Sequence, residues 1–181
     1  LLLKGTLEVF SGDLEAAKAT AALLRGVKKS RLERAQARAL GYLEALIAGA
    51  AGRHDLAAEG FEAAVKALPK DVPYLSDGPL STGSLAGTHA LILYVAAGEL
   101  ESSGRTDAAQ GYYMKLVGLN GGRLQHPDLF ALSHYALGRI LESQGESGRA
   151  RRAYETFLEI WKNADPGRPE IEEAIARLAA L

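Results

Sequence analysis

"HYALGRILESQGESGRARRAYETFL", residues 134–158, and "LYVAAGELESSGRTDAAQGYYMKLV", residues 93–117, say nearly the same thing. Each runs through apolar residues to Leu-Glu-Ser, turns at a glycine, and restarts with a small residue followed one helical turn later by a tyrosine. Placing Gly145 on Gly104 brings Ala150 onto Ala109, Tyr154 onto Tyr113 and Leu141 onto Leu100. The spacing returns upstream, where Gly52 precedes Ala57 and Phe61, and Gly12 precedes Ala17 and Ala21. The four turn glycines are 40, 52 and 41 residues apart. Self-similarity at such periods marks stacked helical units.

The physical content of one unit is legible. An apolar stripe at helical spacing leads into a glycine turn, and a second helix follows with a small residue near its start. Small side chains there let two antiparallel helices approach closely. The aromatic one turn on fills the wedge beside that pair. A lone pair cannot bury its apolar face, so pairs must stack. Helix boundaries are signalled as well. Ser30-Arg31-Leu32-Glu33 has the form of a capping box. Pro127-Asp128 suits a first helical turn, and Pro69 and Pro166 stop their helices. Pro169 opens a last helix, 170–181, with Ile171, Ile175 and Leu178 on one face, which is expected to cover the end of the stack.

These residues resemble the tetratricopeptide repeat (TPR), whose pattern runs W-x₂-L-G-x₂-Y, A-x₃-F and then P. His134 stands at the Trp place, Leu137-Gly138 at Leu-Gly and Leu141 at Tyr, followed by Ala150 and Tyr154. In the second repeat Ala57, Phe61 and Pro69 match. The tail "YETFLEIWKNADPGRPEIEEAIARL", 154–178, is similar to the closing segment of TPR regions in large bacterial signalling proteins, which often carry a kinase, winged-helix or cyclase domain ahead of it. The resemblance implies an all-α, right-handed superhelix of about four antiparallel helix pairs plus a C-terminal capping helix. We expect one domain over 1–181, with repeats near 1–29, 30–69, 84–120 and 127–164, a long loop at 70–83 and the capping helix at 169–181. The start Leu-Leu-Leu-Lys, with no Met, reads as a piece of a longer chain.

Two departures from the pattern stand out. The inward stripe is Leu93, Ala96, Ala97 and Leu100 in the third repeat, and His134, Leu137, Gly138 and Leu141 in the fourth. In the first two repeats the apolar residues fall elsewhere, at Leu3, Leu7 and Phe10 and at Leu40, Leu43 and Ile47, while Lys4 and Glu44 occupy apolar places. Either those helices are rotated or their turns are longer by a residue. The second departure is the stretch from Pro69 to Gly87, rich in Pro, Gly and Ser, which reads as a connector rather than a binding element.

Composition narrows the function. The chain has 21 basic and 22 acidic residues, a formal net charge of -1, so it lacks the positive field that nucleic acids require. Arg149, Arg151 and Arg152 sit beside Glu155 and Glu159 and read as a self-paired solvated face. With no cysteine there is neither a disulfide framework nor a thiolate site. The longest apolar run, 90–97, is too short to span a membrane. The four histidines form no metal-binding motif, and "GPLSTGSLAGTH" lacks the Gly-Lys-Ser/Thr ending of a phosphate loop. No Gly-x-Ser-x-Gly elbow occurs. We therefore assign no catalytic residue, no metal and no cofactor, and expect a non-enzyme that neither binds nucleic acid nor enters a membrane.

What remains is a surface. By the TPR resemblance the first helices of the pairs line a concave groove, and Tyr94, Glu101, Tyr135, Arg139 and Glu142 fall there, with Gly98 at the place of Arg139. Tyrosine offers rigid amphipathic area and arginine a fork for carboxylates. The alternative is that the two tyrosines merely pack between neighbouring helices. The Lys/Asn clamp of chaperone-tail TPRs is absent from this set. The expected function is a non-catalytic protein-binding module holding a peptide or partner segment, inside a larger cytoplasmic bacterial signalling protein. One alternative is a homo-oligomerising or intramolecular module, with Leu1–Leu3 and Phe10 packing on a missing N-terminal domain or another copy. The other is a periplasmic envelope-assembly factor.

Overall fold

The computed structural model of the chain describes residues 1–26, 33–66, 85–118, 126–165 and 167–181, with side chains described from 39 and from 90 in the helices that begin at 33 and 85. Among the described residues every regular element is a helix: α1 (Leu2–Phe10), α2 (Leu14–Gly26), α3 (Glu33–Ala50), α4 (His54–Lys66), α5 (Leu85–Ser102), α6 (Thr106–Val117), α7 (Pro127–Ser143), α8 (Ser147–Ile160) and α9 (Pro169–Ala180). The fold is all-α and TPR-like. Ser30, Pro69, the 70–83 stretch and Pro166, with the readings placed on them, lie outside the described residues.

The repeated glycine has one structural role. Gly12, Gly52, Gly104 and Gly145 all adopt positive φ, between 74° and 82°. Each donates its N–H to a carbonyl three residues back, and the following residue reaches five back: Asp13 to Glu8, Arg53 to Ala48, Arg105 to Leu100, Glu146 to Leu141, at 2.8–2.9 Å. This pairing satisfies helix-end carbonyls, and its left-handed residue favours glycine. The second helices then start at once. Their small residues Ala17, Ala57, Ala109 and Ala150 are fully buried, as are Phe61 and Tyr154 at the wedge position. Proline opens both α7 and α9, with Asp128 and Glu170 in the first turn, where acidic groups meet the helix dipole.

The chain divides into two compact units, Leu1–Pro73 with Val95–Arg105, and Tyr74–Tyr94 with Thr106–Leu181. In the first, Tyr42, Leu43, Ile47 and Phe61 form the core, with Tyr42 and Phe61 edge to face at 5.6 Å. Helix α1 lies close on α3, because a Cβ at Gly5 would meet Leu43 at 2.5 Å. All four turns share one hydrogen-bond pattern, so no turn is lengthened. Instead α1 buries Gly5, Thr6 and Val9 and leaves its apolar stripe outside: Leu3, Leu7 and Phe10 are 73%, 59% and 66% exposed. Glu8 takes the place of Leu141 and is satisfied there by Thr20 Oγ1 at 2.7 Å and by an ion pair with Lys4.

In the second unit α7 and α8 pack tightly. A Cβ on Gly138 would lie 2.5 Å from the Tyr154 ring. Tyr135 and Phe157 add a ring contact at 5.3 Å. Helix α9 docks through Ala174, its one buried residue. The expected face of Ile171, Ile175 and Leu178 is therefore corrected. Ile171 and Leu178 are half-buried beside Ala174, but Ile175, 100° around the helix from Ala174, is exposed.

Candidate functional site

The five groove candidates separate by compact unit. Glu101 lies in the first unit, and Tyr94, Tyr135, Arg139 and Glu142 in the second. Tyr94 meets Tyr113 edge to face at 5.9 Å, and Tyr135 meets Tyr154 at 6.3 Å, the equivalent pair one repeat later. Tyr135 is only 7% exposed. Its hydroxyl donates to Glu173 of α9, and burial followed by that bond pushes its pKa up to about 12. The Arg139 guanidinium stands 5.7 Å from the Tyr135 ring. Glu142 accepts from the Tyr154 hydroxyl at 2.7 Å and from Arg177 Nη1 at 3.0 Å. Arg177 also donates through Nε to Glu173 at 2.7 Å.

The face carrying Tyr135, Arg139 and Glu142 thus holds a helix. Its ligand is α9, through Glu173 and Arg177 one turn apart with Ala174 between them. The hydrogen bond from Tyr135, and then the one from Arg177, lower the pKa of Glu173. Burial and the Glu142 bond raise that of the Tyr154 hydroxyl. Glu173 and Arg177 were not among the sequence-derived candidates. Their signal was present as an i,i+4 acid–base pair in the capping helix, but such pairs are ordinary on exposed helices.

A second feature escaped the sequence reading. A groove of about 990 Å³ opens in the first compact unit between α2 and α4, with α3 as its floor. The repeat register explains it. Counting from the turn glycine, the places of His134, Leu137, Gly138 and Leu141 are taken in the second repeat by Gly41, Glu44, Ala45 and Ala48. All four line the groove. At two of these places the imidazole of His134 and the leucine of Leu141 become the hydrogen of Gly41 and the methyl of Ala48, while Glu44 keeps the bulk of Leu137 and Ala45 exceeds Gly138. Leu56 forms one apolar wall, and Arg25, paired with Glu44, stands on the α2 side.

Neither surface carries the constellation of a reacting centre. Among the described residues no group of three or more His, Asp or Glu could hold a metal ion. None of the described helices is long and apolar enough to cross a membrane. His134 contacts Phe130 edge to face at 4.9 Å, and burial lowers its pKa, as expected for a packed neutral imidazole.

Comparison with known proteins agrees with this geometry. The tetratricopeptide repeat family model matches residues 131–161, which span most of α7 and all of α8. Among solved structures, the crystal structure of BtubC (BKLC) from P. vanneervenii is similar with a TM-score of 0.67 and 20% identity, over 97% of this chain and 68% of that one. No curated protein matches the sequence. The chain has a TPR-like all-α fold, and its α7–α8 hairpin matches the tetratricopeptide repeat.

Proposed function

We propose that this chain is a protein-binding module whose partner segment is a helix, received on the surface of the second compact unit that includes Tyr94, Tyr135, Arg139 and Glu142. TPR architecture of this kind serves protein interaction rather than catalysis. The observation that carries the reading is α9 itself. It is held against Tyr135 and Glu142 through a carboxylate and a guanidinium one turn apart, over an alanine small enough for close approach. A partner helix with the same acid–small–base pattern would use the same chemistry, helix-in-groove recognition with polar pairs setting register. Arg139, against the Tyr135 ring, and Tyr94, against Tyr113, belong to the same proposed surface, with Tyr135 as its platform. The resemblance of 154–178 to the ends of TPR regions supports placing the module in a larger cytoplasmic bacterial signalling protein.

The test is a selection of displayed helical peptides against the chain, with binding then measured to Arg139→Ala and Tyr94→Ala. Selected peptides should carry a Glu/Arg pair at i,i+4 and lose tenfold or more in affinity to Arg139→Ala, about 1.4 kcal/mol. Circular dichroism should remain that of the parent. Peptides that bind parent and both variants equally would remove this surface from the function.

A further inference from the structure

Helices α7 and α9 open alike, each with proline followed by an acid, but they are held very differently. Helix α7 buries nine of its 17 residues, among them Leu129, Leu137, Ile140 and Leu141. Helix α9 buries one of its 12, Ala174. Ile171 and Leu178 are half-buried, and Ile175 is exposed. One methyl and two half-covered side chains remove little apolar surface from water.

The polar contacts of α9 set its register more than its strength. The Tyr135 hydroxyl donates to Glu173, and Arg177 donates to Glu142 at 3.0 Å and to Glu173 at 2.7 Å. Glu173 and Arg177 are both part-exposed, so water and salt screen these pairs. One group opposes the docking. Glu170 Oε2 is buried and, among the described residues, has no hydrogen-bond partner. A carboxylate oxygen taken out of water without a donor weakens the contact that encloses it. The first backbone N–H groups of α9 bond to Arg168, and none of those bonds goes to α7 or α8. The helix can therefore leave its seat whole, turning about residues 161–168, where Gly167 adopts φ 84°.

We infer that α9 is an internal competitor for the partner surface: it closes the site by occupying Tyr135 and Glu142, and a partner helix binds by displacing it. This competition rests on the proposed helix-binding role of that surface. The Glu173–Arg177 pair gives α9 a defined register, and the small contact at Ala174 keeps the hold weak. Tethering through eight residues holds α9 at a local concentration on the order of millimolar, so a weak hold still fills the site and shuts out weaker helices. A partner displaces it only by binding the emptied seat better than the docked state.

Hydrogen–deuterium exchange of the full chain, read by mass spectrometry, tests the release. Without ligand, α9 amides should exchange at least a hundredfold faster than those in the middle of α7 and α8, through an opening that leaves the rest folded. A bound peptide from the helical display selection should slow exchange in α7 and speed it in α9. Simple fraying of a terminal helix would not respond to the peptide in this way. Ala174→Glu, which no longer fits the seat, should tighten binding of the same peptides by about tenfold. Glu173→Ala with Arg177→Ala should tighten it likewise, and this variant loosens α9 without adding bulk. Exchange of α9 only through global unfolding overturns the inference. So do peptides that protect α7 and leave α9 unchanged, or that bind the parent and both loosened chains equally. A failed selection counts instead against the partner surface, and the ligand-free exchange still reads whether α9 opens.

Discussion

Gly138→Ala and Gly111→Ala make the same chemical change on helices of the same compact unit, and they should shift stability in opposite directions. Gly138 faces Tyr154, where an added Cβ would sit 2.5 Å from Cε1 and 2.6 Å from Cδ1. Carbon pairs are most favourable near 3.5–4.0 Å, so the ring must retreat by about 1 Å. It has little room to do so. Tyr154 is fully buried, with Tyr135 at 6.3 Å on one side and its hydroxyl bonded to Glu142 at 2.7 Å. Overpacking of this kind costs about 1–3 kcal/mol, and we place it at the upper end because both ends of the ring are engaged. The helix gains up to about 1 kcal/mol from replacing glycine by alanine. The net is a loss of about 2 kcal/mol. At Gly111, on α6, an added Cβ meets nothing within 4 Å, so the propensity gain stands alone at about 1 kcal/mol. For a chain of this length each kcal/mol moves Tm by about 2–4 °C. Thermal and urea unfolding followed by circular dichroism should show Gly138→Ala melting about 4–8 °C lower and Gly111→Ala about 2–4 °C higher. Equal shifts, or a stabilised Gly138→Ala, would refute the claim that close approach of α7 to Tyr154 holds this pair together.

The Tyr42 hydroxyl is buried, and among the described residues it has no hydrogen-bond partner, with burial pushing its pKa up to about 12. Tyr42→Phe removes a desolvated polar atom while keeping the edge contact to Phe61, so urea unfolding should show unchanged stability or a gain of up to about 1 kcal/mol; a loss of more than that would show that the hydroxyl is paired. The docking of α9 should respond to acid. The Glu173 carboxyl has its pKa lowered from 4.5, by Tyr135 first and Arg177 next. Its contribution is therefore complete above pH 4.5 and is lost as pH falls below that value through the folded pKa. The chain's one tryptophan, Trp161, lies at the α8–α9 junction with Arg168 stacked 5.1 Å away, so its emission reports that region. Emission should change as pH drops below 4.5 in the parent, and Glu173→Gln should abolish the change; an identical acid profile in the variant would place the titrating group elsewhere.

The periodic features were legible from sequence because each is local. A positive-φ turn wants glycine at Gly12, Gly52, Gly104 and Gly145. A close helix crossing wants alanine at Ala17, Ala57, Ala109 and Ala150. A proline at Pro127 or Pro169 can open a helix but not continue one. These demands are set within a few residues of chain, so the repeat, the helix pairs and the all-α class follow from the sequence alone. The candidate site was legible only as a set of names.

What tertiary structure decided is which face of a helix meets which neighbour. The stripe Leu3, Leu7, Phe10 has the spacing of a buried face, yet α1 turns it outward, because Gly5 and not leucine permits the approach to Leu43. Tyr135 and Glu142 read as groove residues, and they became the seat of α9 once Glu173 and Arg177 arrived from 30 or more residues away. The groove beside Gly41 and Ala48 is written in the sequence as missing bulk, where the fourth repeat has His134 and Leu141. Missing bulk becomes a cleft only when α2 and α4 stand apart on either side of it. A linear pattern specifies the period of an apolar face; the direction of that face depends on long-range packing.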